Sequence, residues 1–173
     1  MIHFNNNTDQ WFAIRTRYKR EKYVQKLLTI KDVHAYLPLQ KHYRFWGGRR
    51  RIVQLPLISC YVFVKIRQKE YVTVLETENV LAFVKIANEA AIISEEEIDL
   101  LRRVVGDMDL EVAVEPIRFE IGDKVEIIYG SLTGVKGKLV ETKMNKFVVI
   151  ELQNIGYELR IKVQNSHIRR TLI

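Results

Sequence analysis

Four of the chain's eight glycines fall in one stretch, Gly122, Gly130, Gly134 and Gly137, within the sequence GDKVEIIYGSLTGVKG. No other feature limits the possible folds so strongly. Glycine at this density suits a chain that bends sharply between short strands, or a loop that cradles phosphate. The phosphate reading fails on spacing. A phosphate-binding loop wants Gly-Lys followed by Ser or Thr and then a helix, whereas Gly137-Lys138 is followed by Leu139 and by strand-like sequence. The glycines are therefore read as architectural. The short segments around them (KVEII, KGKLVE, KFVVIEL, YELRIKV and HIRRTL) predict five strands closing into a small barrel.

The rest of the chain has a different texture. WFAIRTR reads as a strand. YKREKYVQKLLTIK places Val24, Leu27 and Leu28 on one helical face. AYLPL is extended, because Pro38 disfavours helix at Leu37. QKHYRFWGGRRRIVQL reads as a hairpin turning at Gly47-Gly48. CYVFVKI and VLAFVKI are strands, and EYVTVLETE is a helix weakened by its β-branched residues. In SEEEIDLLRRVV, Ser94 is the expected cap, Glu95 to Glu97 suit the positive end of the helix dipole, and Ile98, Leu101 and Val105 form a stripe. This order predicts an α+β domain on an antiparallel sheet over residues 1–106. Acidic, proline-containing sequence over 107–117 reads as a linker, and 118–173 as the all-β domain.

Charge bears on function. The net charge is +7, and from Arg15 to Arg51 twelve Lys/Arg face only Glu21 and Asp32. From Glu89 to Glu115 nine acids face only Arg102 and Arg103. Such a concentrated basic stretch favours a polyanionic partner, although a solvated charged face is the competing reading. The opening residues show neither a basic nor an apolar leader segment, and no apolar run approaches the ~20 residues that span a bilayer. Cys60 is the single cysteine, which fits a cytoplasmic protein. A monomer with no membrane contact is expected. An enzyme is not: His3, His34, His42 and His167 lack metal-ligand spacing, and Cys60 has no base near it in sequence. No cofactor is expected.

The glycine segment GDKVEIIYGSLTGVKGKLVE resembles the KOW motif of small SH3-like barrels. WFAIRTRYKREKYVQKLL, AYLPLQK and LPLISCYVFVKI resemble, in order and spacing, the N-terminal (NGN) domain of the NusG family. The two resemblances cover nearly the whole chain. Within the family, YLPLQKHYRFWGGRRRIVQLPL is most similar to the specialised paralogues of the UpxY and RfaH kind. Two turns depart from the family pattern. Ser59-Cys60 stands where Pro-Gly or Pro-Asn is usual, and Thr77-Glu78-Asn79-Val80 where Thr-Pro-Gly-Val is usual. The resemblance implies a transcription elongation or antitermination factor. Its N-terminal domain would dock on the clamp helices of the RNA polymerase β′ subunit and suppress pausing or termination. Its KOW domain would recruit a further factor, such as the ribosomal protein NusE or Rho.

Particular residues follow from these readings. Tyr61 and Phe63 share one face of a predicted strand whose other face offers Val62, Val64 and Ile66 to helices. A sheet covered on one side leaves its second face for a partner, so Tyr61 and Phe63 are candidate polymerase contacts, with burial in a core as the alternative. Ile58 and Phe83 join them by family position. Arg17, Tyr18, Lys19, Arg20 and Lys22 put cations at a helix start, against the dipole, which phosphate contact would explain. Arg49, Arg50 and Arg51 follow a glycine turn beside Phe45 and Trp46, and are candidates for upstream or non-template DNA, with a solubilising turn as the alternative. Ile155 and Gly156 occupy a turn where the family presents an apolar residue to its ribosomal partner, with an isoleucine tucked under the barrel as the alternative. An RNA-binding or ribosome-associated KOW protein is the alternative function.

Overall fold

A computed structural model describes residues 8–86, 89–117, 122–142 and 144–171. The chain forms two compact units, Met1–Ile98 and Asp99–Ile173. The first unit begins with β1 (Gln10–Thr16), α1 (Glu21–Ile30), β2 (His34–Tyr36), β3 (Leu39–Trp46) and β4 (Arg49–Pro56). It continues with β5 (Tyr61–Ile66), α2 (Tyr71–Leu75), β6 (Val80–Phe83), β7 (Lys85–Ile86), β8 (Glu89–Ala90) and β9 (Ile92–Ile93). The principal sheet runs β2-β5-β1-β6, with β9 also on β1. All its pairings are antiparallel, as the α+β reading requires.

Alternation decides the two faces. Phe12, Ile14, Val62, Val64 and Ile66 point to the side where α1 supplies Val24 and Leu28 and α2 supplies Val74, and together they make the core. Leu27, expected beside them, is only half-buried, because a ten-residue amphipathic helix commits little more than one stripe to the sheet. β3 and β4 pair with each other as a separate two-stranded sheet, register Leu39↔Pro56 through Trp46↔Arg49. We call this hairpin the arm. Gly47 (φ 56°) and Gly48 (φ 73°) make its two-residue turn, where both centres take left-handed angles.

Helix α3 (Glu95–Gly106) carries the expected capping box. The Glu97 N–H donates to Ser94 Oγ (3.1 Å), and the Ser94 N–H donates back to Glu97 Oε2 (3.1 Å). Its buried stripe is Ile98, Leu101 and Val104; Val105 is half-buried, since i+3 from Leu101 falls at Val104. The two units divide between Ile98 and Asp99, within this helix.

The second unit is one antiparallel sheet in the order β10-β14-β13-β12-β11-β15. Its strands are β10 (Val112–Pro116), β11 (Asp123–Ile127), β12 (Lys136–Glu141), β13 (Lys146–Leu152), β14 (Tyr157–Val163) and β15 (Ile168–Arg170). The five expected strands are all present, around buried Val125, Ile127, Leu132, Val148, Leu152, Leu159 and Ile161. The linker reading of 107–117 needs correction: β10 lies within it and pairs along β14, Val112↔Ile161 through Pro116↔Tyr157. Pro116 is tolerated because it ends a strand at the edge of the sheet. The expected start of this unit, residue 118, lies outside the described residues.

The clustered glycines do two different jobs. Gly130 (φ 78°) and Gly134 (φ 86°) turn the chain with left-handed angles. Gly137 instead allows close approach: a Cβ there would sit 2.6 Å from the Val149 carbonyl oxygen and 2.7 Å from Val148 Cγ1.

Candidate functional site

Three turns meet at one end of the principal sheet. The Thr16 N–H donates to the Cys60 carbonyl (2.9 Å), and the Arg17 N–H donates to the Asn79 carbonyl (3.0 Å). Each turn contains a non-glycine residue at left-handed φ: Lys19 (60°), Cys60 (66°) and Asn79 (68°). Cys60 and Asn79 stand where the resembling family has Gly or Asn, and Gly. Asparagine takes this angle readily, but a cysteine does so at a cost. Glu21 offsets it. Its carboxylate is buried at the start of α1, and Oε1 accepts the Cys60 N–H at 2.7 Å. The acid also opposes the cations at the helix start. Sequence reading passed over this residue because a glutamate among lysines and arginines looks like ordinary solvated charge.

Around that lock the basic turn is exposed. Arg17, Tyr18, Lys19 and Arg20 all face solvent, with Lys19 Nζ 5.1 Å from the centre of the Tyr18 ring. Lys22 behaves differently. Its ammonium donates to the Gln54 carbonyl on β4 at 2.7 Å, so it is engaged by the protein itself. Behind the turn, the Tyr23 hydroxyl donates to Glu78 Oε2 (3.1 Å), and this bond to the carboxylate raises the phenol above its ordinary value.

The arm places the three arginines where the hairpin reading put them, in solvent. Antiparallel register sorts its side chains. Tyr43, Phe45, Arg50 and Ile52 share one face, with the Arg50 guanidinium carbon 3.5 Å over the Tyr43 ring centre. His42, Arg44, Trp46, Arg49 and Arg51 share the other. Phe45 is 78% exposed and Trp46 79%. Rings this large are rarely left in water on a small protein, and arginines alternate with them. Cation and ring together suit a partner with both phosphates and exposed bases.

The candidate docking patch is rearranged by the structure. Ile58, Phe63 and Phe83 are all buried, Phe63 completely; only Tyr61 is half-buried. Phe83 is moreover on the wrong face. It pairs with Ile14, joins the helix-side core, and lies 4.5 Å from the Tyr71 ring in a stacked arrangement. Parity within β6 does not reveal its face; the register against β1 does. Phe63 does lie on the face away from that core, opposite Ala13 and Tyr36. Trp11, His34, Tyr36, Tyr61 and Lys65 share that face. Trp11 lies 5.0 Å from His34 and 6.4 Å from Tyr36, and its indole N–H donates to Glu95 at 2.8 Å. Lys65 pairs with the same carboxylate at 3.1 Å.

In the second unit, Ile155 is buried and does not present itself to a partner; Gly156 (φ 75°) completes the turn that tucks it in. The unit's exposed large apolar side chains include Ile128, Tyr129 and Met144, and the Tyr129 ring stacks on His167 at 4.6 Å beside a cavity of about 370 Å³. Among the described residues no group of three or more His, Cys, Asp or Glu could hold a metal ion, and no helix is long and apolar enough to cross a membrane.

Among curated proteins, none matches the sequence. A solved structure, "Domain interaction in Thermotoga maritima NusG", matches with a TM-score of 0.59 at 20% identity, over 95% of this chain and 98% of that one. The "MjSpt4:Spt5 complex" in its conformation B matches with a TM-score of 0.33 at 21% identity, over 94% and 97%. The model of the family described as "Transcription termination factor nusG" matches residues 9–102. That span is more than half of the chain and contains the sheet, the basic turn and the arm, and the chain belongs to the NusG family of transcription factors.

Proposed function

We propose that this protein is a transcription elongation factor that binds RNA polymerase at the β′ clamp helices and suppresses pausing or termination. The observation that carries the reading is the arm, with its solvent-exposed Phe45 and Trp46 among Arg44, Arg49, Arg50 and Arg51 in a chain of this family. The arm and the basic turn (Arg17, Tyr18, Lys19 and Arg20) contact upstream DNA or the exposed non-template strand. Polymerase contact falls on the sheet face that carries Tyr61, with Phe63 supporting that face from within. The second unit is a KOW domain that recruits a further factor such as NusE or Rho, and Tyr129 is an exposed ring that suits such contact. The arm sequence is most similar to the specialised UpxY and RfaH paralogues, and the proposed site of action is the cytoplasm.

Affinity for a reconstituted elongation complex, measured across a salt series, tests the reading. Replacing Arg49, Arg50 and Arg51 together by Ala should weaken the complex and flatten the log-affinity versus log-salt slope by up to about 3 units. An unchanged slope means the arginines touch no phosphate. RNA retained with a steep salt dependence, and no affinity for polymerase, would favour an RNA-binding or ribosome-associated protein instead.

A further inference from the structure

Resting on that nucleic-acid reading, the geometry points to Lys22 as a positioning residue: its ammonium holds the arm at a fixed angle to the basic turn, so that the two bind one strand as a single track. Three observations lead there. Among the described residues β3 and β4 pair only with each other, so no backbone ladder fixes the arm against the principal sheet. At the arm's root, the Leu57 N–H donates to the Pro38 carbonyl at 2.8 Å, and partly buried Leu39 packs on the core. A hairpin held at one end by its own two strands keeps a hinge there. Lys22 closes that hinge from the side, bonding from the first turn of α1 to the Gln54 carbonyl at 2.7 Å.

Position sets the consequence. Gln54 is three residues from Arg51, so at about 3.4 Å per residue a small angular change at the root is carried roughly 10 Å outward to the first arginine and further to the tip. Arg17, Lys19 and Arg20 stand on the turn that precedes Lys22. The lysine therefore links the two basic groups mechanically. A cation aimed at a protein carbonyl is not aimed at a phosphate, which separates Lys22 from the arginines around it.

The test compares Lys22→Met, which keeps the length and apolar stem, with Lys22→Arg, which keeps a donor that reaches a carbonyl. Affinity for a single-stranded oligonucleotide and for the elongation complex is measured across a salt series. Residual dipolar couplings report the orientation of the arm relative to the sheet. Lys22→Met should weaken binding roughly two- to tenfold, the range of one net hydrogen bond. Its salt slope should stay within about 0.3 units of wild type, the arm couplings should change while those of the sheet do not, and Lys22→Arg should restore both. A slope reduced by about 0.7–0.9, the value of one phosphate contact, would overturn the proposal, as would arm couplings unchanged in Lys22→Met. Should the triple arginine variant leave the slope unaltered, the nucleic-acid reading fails, while the couplings still decide the hinge.

Discussion

Phe63 separates a structural from a docking role on its sheet face. The side chain has no exposed surface, stands opposite Ala13 and Tyr36, and lies with its ring 6.3 Å from that of Tyr36. Truncating a phenylalanine so placed removes its burial and leaves a cavity, together costing about 3–5 kcal/mol. Domains of this size hold roughly 5–15 kcal/mol in all, and each kcal/mol moves the melting point by about 4–8 °C. Phe63→Ala should therefore lower the midpoint by more than about 10 °C, and it cannot report on docking. Tyr61, half-buried on the same face and paired with Arg15, is the residue that can. Tyr61→Ala should cost no more than about 1–2 kcal/mol of stability while weakening polymerase affinity at least tenfold. Thermal melts by near-UV circular dichroism, run beside affinity measurements on both variants, read the two effects separately. A Phe63→Ala protein melting within about 3 °C of wild type would refute the core assignment. A folded Tyr61→Ala protein with undiminished affinity would refute docking on this face.

Gly137→Ala should destabilise the β12–β13 pairing by about 1–3 kcal/mol, because the new methyl meets the Val149 carbonyl and Val148; denaturant unfolding that matches wild type would contradict the close approach. Residues 107–173 should show strand and no appreciable helix by far-UV circular dichroism, alone and by difference in the full chain. β13 and β14 are rich in β-branched residues, and a strong helical signal in either setting would contradict a permanent sheet. Tyr23 should titrate above the ordinary phenol, and Glu78→Gln should bring it back down, read by the phenolic carbon shift of labelled tyrosine. Because the folded value is raised, the stability this bond contributes is present below about pH 10 and lost as pH rises through the folded value. A Tyr23 titration that Glu78→Gln leaves in place would contradict the bond.

What the sequence discloses depends on whether a property is local. Turn glycines, the Ser94 capping box, the hairpin and the five strands of the second unit all rest on short patterns, and each is where those patterns place it. β10 was hidden because its neighbours are acidic and it ends in proline, although Val112, Ala113 and Val114 supply strand-forming sequence. The face of Phe83 was hidden because it depends on register against β1. The same limit leaves the burial of Ile58, Phe63 and Ile155 undecided in sequence, and conceals the engagement of Lys22 by Gln54, thirty-two residues away. The exposure of Arg17, Lys19, Arg20 and Arg49 to Arg51 is legible because arginine and lysine on the surface need no tertiary information.

Affinity of the full chain for core RNA polymerase, with an isolated β′ clamp-helix fragment as competitor, decides whether this protein docks on the clamp helices. Binding should persist at moderate salt, be displaced by the fragment, and be weakened at least tenfold in Tyr61→Ala. Failure to bind polymerase, or binding that the fragment does not displace, would contradict that docking.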